Sequence, residues 1–205
     1  MSSYLYIFSN YTFTILNLLY NDGKGVDIMD QIKLKNNQLL TLRKATIDDA
    51  ADILDYLNTV GGESDNLLFG KNQIKLTIEQ EQAFIENVNN TQNSIMLLGI
   101  IDNQIVSVSQ INTVNRQRIS HNCELAISVR KAYWGCGIGS ANMERLIEFA
   151  KTCKSIKNIN LAVKADNLPA IHLYKKYGFK QVGVHKNYFN INGNYFDEIL
   201  MDLHL

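Results

Sequence analysis

The stretch Tyr133-Trp134-Gly135-Cys136-Gly137-Ile138-Gly139-Ser140 stands between a strand pattern and a helix pattern, and its reading decides the fold. Three glycines on alternate positions let the backbone come close to a ligand and take positive φ where a turn needs it. A helix starting here points its unpaired first-turn N–H groups, and a partial positive charge, back at the loop. Together these features suit a diphosphate. Spacing alone also fits a tight turn before a closely packed helix. It fits a dinucleotide-binding unit as well, reading G-x-G-x-x-S with Ser140 in the place of a third glycine and Asp166 ending the next strand. Two features oppose the dinucleotide unit. Arg130 to Trp134 separate the loop from the strand end, and two antiparallel-looking strands come first. The strand before the loop also alternates polar and apolar, whereas a doubly wound parallel strand is usually apolar throughout.

Outward from the loop, helix and strand signals alternate, which predicts an α/β or α+β domain. Leu39 to Arg43 reads as a strand, and Thr46 opens a helix with Asp48 and Asp49 in its first turn. Ala50, Ile53, Leu54 and Leu57 give that helix one buried face, and Gly61-Gly62 stop it. Thr77 and Gln80 form a capping box for a second helix, to about Val88. Ser94 to Ile101 and Gln104 to Asn112 read as strands around the Asp102-Asn103 turn. A third strand spans Ser120 to Val129, with Cys123, Leu125, Ile127 and Val129 on one face and Glu124, Ala126 and Ser128 on the other. After the loop come a helix from about Ile138 to Thr152, a strand through Ile159, Leu161 and Val163, and a helix over Asn167 to Tyr177. Pro169 suits its first turn and Gly178 its end. Two closing strands, Gln181 to Asn190 and Asn194 to Leu203, flank Asn192-Gly193, a hairpin signal.

The composition narrows the function classes. The chain has 205 residues, 46% hydrophobic and 20% charged, with twenty Lys+Arg balancing twenty Asp+Glu. A nucleic-acid or anionic-membrane partner would call for a basic excess. Three cysteines, Cys123, Cys136 and Cys153, show no CxxC, and no His pair has metal-ligand spacing, so no metal is expected. Free thiols in a reducing, cytoplasmic compartment are the simplest reading. Tyr4 to Tyr20 is apolar and aromatic-rich, but no Lys or Arg precedes it and Ser9, Asn10, Thr12, Thr14 and Asn17 interrupt it. It therefore reads neither as a secretory signal nor as a membrane span. Met29 offers a second plausible start. Residues 1–28 are expected to lie outside the functional fold, as an appended element or as an artefact of the assumed start, with residues 29–205 as the working domain.

Two motif blocks carry a resemblance. Trp134-Gly135-Cys136-Gly137-Ile138-Gly139 is similar to the pattern Q/R-x-x-G-x-G/A, with Trp134 in the Q/R place. Leu161-Ala162-Val163-Lys164-Ala165-Asp166-Asn167-Leu168-Pro169-Ala170-Ile171-His172-Leu173-Tyr174-Lys175-Lys176-Tyr177-Gly178-Phe179 is similar to L-x-V-x-x-x-N-x-x-A-x-x-L-Y-x-K-x-G-F. In this order and spacing the chain resembles the GNAT superfamily of acetyl-CoA-dependent N-acetyltransferases over roughly residues 38 to 205. The tail Asn192 to Glu198 with Met201 looks like bacterial members that acetylate small amines or protein N-termini.

The resemblance implies a mixed, mostly antiparallel sheet of six to seven strands flanked by about four helices. The strands ending at Val129 and Val163 would run parallel and splay apart, and the pantetheine arm of acetyl-CoA would pair with the backbone near Ile127 to Val129. The loop residues Trp134, Gly135, Cys136, Gly137, Ile138, Gly139 and Ser140, with Asn167 and Tyr174, would hold the coenzyme. Tyr174 would be the acid facing the sulfur, and Glu124 the base, acting through water. An N–H near Leu125 to Ile127 would meet the developing oxyanion. Glu63, Ser64 and Asp65 lie where the family often builds its acceptor pocket and could bind an ammonium group, or could be a solvated acidic loop. His121, His172 and His185 read as structural or surface residues, and Cys136 has no nucleophilic task in direct transfer. The expected partner is a small-molecule amine, with neither nucleic acid nor membrane, and a homodimer is compatible. The alternatives are a protein N-terminal or lysine acetyltransferase, and an acyl-CoA sensor without turnover.

Overall fold

In the computed structural model, residues 30–113 and 116–205 are described in full, preceded by the backbone of 15–17, 20–21, 26–27 and 29. In chain order the strands and helices are β1 (Ile15–Asn17), β2 (Tyr20–Asn21), β3 (Val26–Asp27), β4 (Met29–Lys33), β5 (Leu39–Lys44), α1 (Ala50–Val60), α2 (Ile78–Asn90), β6 (Ile95–Ile101), β7 (Gln104–Thr113), β8 (Asn122–Val129), α3 (Ile138–Thr152), β9 (Asn158–Lys164), α4 (Leu168–Lys176), β10 (Lys180–Ile191) and β11 (Asn194–His204). The main sheet has the order β1-β4-β5-β6-β7-β8-β9-β11-β10. Every pairing in it is antiparallel except β8 with β9. The mixed, mostly antiparallel architecture agrees with the sequence. The sheet is wider than six to seven strands because β4 and β1 extend it beyond β5. The expectation that residues 1–28 stand apart falls largely outside the described residues.

Local chemistry explains the element ends. Asp49 closes the turn before α1 by accepting hydrogen bonds from Thr46 N (2.8 Å) and from Arg43 Nη2 (2.6 Å). Thr77 and Gln80 make the expected capping box of α2. The two hairpin turns read from the sequence each use two left-handed residues, Asp102 with Asn103 and Asn192 with Gly193, whose twist matches the strands they join.

Two helical layers sandwich the sheet. Tyr56 of α1 donates to Ser128 Oγ (2.9 Å), so Ser128, Ala126 and Glu124 of β8 face the α1 and α2 layer. On the other face, Asn142 of α3 accepts from Ser109 Oγ (2.6 Å) and donates to Ser107 Oγ (3.1 Å). Ile127 and Val129, opposite those serines, share that face. Tyr177, the residue that ends α4, donates to Glu144 Oε1 of α3 (2.6 Å), which sets α4 beside α3.

The sheet opens beside its parallel pair. β8 and β9 pair only at Asn122↔Asn158, Cys123↔Ile159 and Glu124↔Asn160. Beyond Glu124 they diverge, while β8 stays paired to β7 and β9 to β11. The result is a V lined by two unpaired backbone edges, Leu125 to Val129 and Leu161 to Lys164.

Candidate active site

The Gly-rich loop closes the open end of the V. After β8, Arg130 N donates to Val106 O (2.9 Å), and a single 3-10 turn, Lys131–Tyr133, leads into the loop. Trp134 donates its indole N–H to Val129 O (2.9 Å), tying the loop to the strand end. The side chain in the Q/R place therefore serves the loop's own shape. Gly137 caps α3 with φ 101°, a left-handed conformation that suits glycine. Ala141 N bonds to Gly137 O (3.1 Å), so the N–H groups of Ile138, Gly139 and Ser140 precede the first helical hydrogen bond. Three such amides at a helix start are the donor set that suits an anion.

Two buried polar atoms test whether this region suits a coenzyme. Asn167 caps α4 by accepting from Ala170 N (3.4 Å) and is 3% exposed. Its Nδ2 has no protein partner among the described residues, and neither has Ser140 Oγ in the first turn of α3. Buried donors are normally satisfied, so each fits a polar ligand lying along the loop and the V. An added Cβ at Gly135 would meet nothing within 4 Å, so the loop has open space in front of it. The Cys136 thiol makes long contacts, accepting from Asn36 Nδ2 (3.5 Å) and donating to Trp134 O (3.8 Å).

Tyr174 is fully buried on α4, with its ring 5.9 Å from that of Phe179. It therefore belongs to the α3 and α4 layer. Glu124 stands at the crotch of the V on the opposite face, half-buried. The register of β8 against β7 runs without a bulge, so the alternation read from the sequence holds through Glu124. Glu124 thus meets the gap between the strands from the α1 and α2 side, and Tyr174 belongs to the helical layer on the other face.

Above the sheet lies a cavity of about 620 Å³, lined by Glu124, Asn160, Ala162, Tyr188, Glu198 and Asp202 among others. Strand register builds this wall, since Glu124 is opposite Asn160 and Asn160 is opposite Asp202. Asp202 accepts from Asn160 Nδ2 (2.7 Å). No lysine or arginine is among its described lining residues. A second cavity of about 360 Å³ shares Tyr188 and is lined by Ser64, Asp65, Phe69 and Gln73. Glu63, expected beside Asp65 as a ligand for an ammonium group, instead accepts from Arg130 Nε (2.8 Å) and Lys131 N (2.6 Å). It clamps the α1–α2 connection to the root of the Gly-rich loop.

Sequence reasoning missed Glu198 and Asp202. Their alternation along the last strand was visible, but which strand lies beside them was not. His185, read as a structural or surface residue, is exposed on β10, and its Nδ1 lies 3.0 Å from Glu198 Oε2, a contact that its own stretch of sequence does not show.

The Acetyltransferase (GNAT) family profile matches residues 66–179. The chain belongs to the GNAT family. It is 37% identical over 105 residues to the L-amino acid N-acetyltransferase AaaT of Escherichia coli (strain K12), a match covering 51% of this chain and 65% of that protein. It is 30% identical over 97 residues to the spermidine N(1)-acetyltransferase of the same organism, covering 47% of this chain and 50% of that one. The matches thus span between half and two thirds of these two relatives' length. A GNAT-family acetyltransferase structure from Streptococcus pneumoniae superposes with a TM-score of 0.78 at 32% identity, covering 81% of this chain and 99% of that one. Among the described residues no helix is long and apolar enough to cross a membrane, and no group of three or more His, Cys, Asp or Glu side chains could hold a metal ion.

Proposed function

We propose that the protein is an N-acetyltransferase that moves an acetyl group from acetyl-CoA to the primary amine of a small cationic molecule. The observation that carries this reading is the divergence of β8 from β9 directly beside a cavity walled by Glu124, Glu198 and Asp202. The Ile138 to Ser140 amides hold the diphosphate, and Asn167 Nδ2 and the free backbone edge of β8 hold the arm that leads to the thioester. Acetyl-CoA supplies the activated acyl group. Glu124, through water, takes a proton from the amine. The β8 edge from Leu125 to Ile127 offers N–H groups to the negative charge that develops on the acyl oxygen. Tyr174 donates its phenolic proton to the departing sulfur.

Charge supports a cationic acceptor. A free amino acid would bring its own carboxylate against three others with no lysine or arginine on the described lining, and such like-charge contacts cost several kcal/mol. The spermidine-acetylating relative favours the cationic reading, while the relative named for L-amino acids favours the other. Residues 29–205 form the catalytic domain in this reading, and the free thiols Cys123, Cys136 and Cys153 support a cytoplasmic setting.

Acetyl-CoA-dependent thiol release tests the reading, measured against spermidine, amino acids, aminoglycosides and short peptides. Polyamines are expected to stimulate release most. Stimulation by amino acids or peptides alone would overturn the acceptor class, and failure of acetyl-CoA to raise the melting temperature would overturn the activity. With the best amine, Glu124→Gln is expected to lower kcat/KM by about 100-fold, the typical worth of a positioned general base. An unchanged value would remove Glu124 from the mechanism. Glu63→Gln is expected to raise the KM for acetyl-CoA about tenfold, since a charge-assisted hydrogen bond to the loop root is worth about 1.5–3 kcal/mol. An unaltered KM would show that the clamp does not serve the loop.

A further inference from the structure

Acetyl transfer to an ammonium group releases one proton in net, besides the one that Glu124 takes during attack. An amine arrives as R–NH₃⁺ and leaves as an amide N–H, so its nitrogen sheds two protons. In net, one ends on the departing sulfur. The other must reach bulk water while the amine occupies the cavity.

Three carboxylates line that cavity, and their surroundings differ. Glu124 stands at the crotch of the V, between β7 and β9. Asp202 is held by the Asn160 amide, a group that does not take up a proton. Glu198 is buried, with a side chain 5% exposed, and its Oε2 lies 3.0 Å from His185 Nδ1. The His185 side chain is 52% exposed on the edge strand β10. Its ring stacks on Tyr188, centroids 5.4 Å apart, and Tyr188 lines both cavities. The pair therefore runs from the cavity wall to solvent.

The strands hold this geometry firmly. His185 is the register partner of Glu198, and Glu198 is the register partner of Lys164. Lys164 is itself bound to Asp166 and lies 3.6 Å over the Phe196 ring. Directly after His185 the β10 register shifts, and Lys186 pairs with Asp197 (2.6 Å). The charged neighbours on both sides thus already have partners, and the imidazole faces the Glu198 carboxylate.

We infer that Glu198 and His185 form the exit route for the amine's first proton, an inference that rests on the acetyl-transfer reading. Glu198 accepts the proton from the ammonium group, directly or through water. The proton passes along the 3.0 Å contact to Nδ1, which restores the carboxylate and makes an imidazolium beside it. The imidazolium then gives a proton to water from its exposed edge. Histidine suits the step because it can take a proton at one ring nitrogen and release one from the other. The amine is left neutral for attack. Glu124 takes its second proton through water and later returns it to solvent, and Tyr174, having protonated the sulfur, regains a proton from solvent, so one proton is released in net. His185 acts through Glu198 and is a positioning and relay residue.

The test is thiol release by the full chain with its best amine, comparing wild type, His185→Ala, Glu198→Gln and the double variant. Melting temperatures confirm that each variant folds. His185→Ala is expected to lower kcat/KM for the amine about tenfold, less than the roughly 10²–10⁴-fold of a group that touches the substrate, because His185 acts through Glu198. Its KM for acetyl-CoA should not change, and added free imidazole should restore several-fold activity without affecting wild type. The double variant should be no slower than Glu198→Gln alone, because residues acting in series are not additive. Unchanged kcat/KM in His185→Ala, a loss that imidazole does not recover, or additive losses would each overturn the relay. A wild type that releases no thiol with any amine would overturn the acetyl-transfer reading itself.

Discussion

Tyr174→Phe is expected to lower kcat about 100-fold while leaving the KM for acetyl-CoA and the melting temperature nearly unchanged, because a positioned general acid contributes on the order of 10²–10⁴-fold. The substitution keeps the ring and its tilted packing on Phe179, so the buried volume is conserved. Only the phenolic hydroxyl, and with it the transferable proton, is lost. On the reading above, that proton goes to the departing thiolate, so the effect belongs in kcat. A Tyr174→Phe enzyme with wild-type turnover would mean that the sulfur leaves without this acid. A large fall in melting temperature would mean that the hydroxyl serves the fold.

Asn142→Leu is expected to have the largest effect on stability. Asn142 is fully buried and bonds in three directions, to Ser109 Oγ, to Ser107 Oγ and to Ile138 O. Leucine matches the apolar surroundings but leaves two buried serine hydroxyls without that partner. Each such orphan costs about 1–3 kcal/mol, so a loss of about 3–5 kcal/mol is expected in urea unfolding. For a domain of this size that is a fall of about 10 °C in melting temperature. Acetyl-CoA affinity should drop as well, because the same asparagine fixes the first turn of α3 against β7. Adding Ser107→Ala and Ser109→Ala should recover most of the loss, since removing both partners of a buried hydrogen bond is nearly neutral. A single variant as stable as wild type would show that the network contributes little.

The helices and most strands were legible because their signals are local. The left-handed pairs Asp102-Asn103 and Asn192-Gly193 name their own turns, and Thr77 with Gln80 names a helix start. The strand Met29–Lys33 was not foreseen, because its five residues gain their meaning from pairing with β5. Glu63 shows the same limit at the site. Its acidity was visible, but its partners Arg130 and Lys131 stand 67 and 68 residues away.

By itself the sequence determined the order of elements, the Gly-rich loop opening α3, and the helix that carries Asn167 and Tyr174. Each depends on residues within a few positions of one another, through turn geometry, capping and periodicity. Only the tertiary structure decided where β8 and β9 part. It also decided that Glu124, Glu198 and Asp202 share one wall, and that His185 sits against Glu198. Those facts depend on register between strands distant in the chain. A slip of one residue would turn every one of these side chains to the other face.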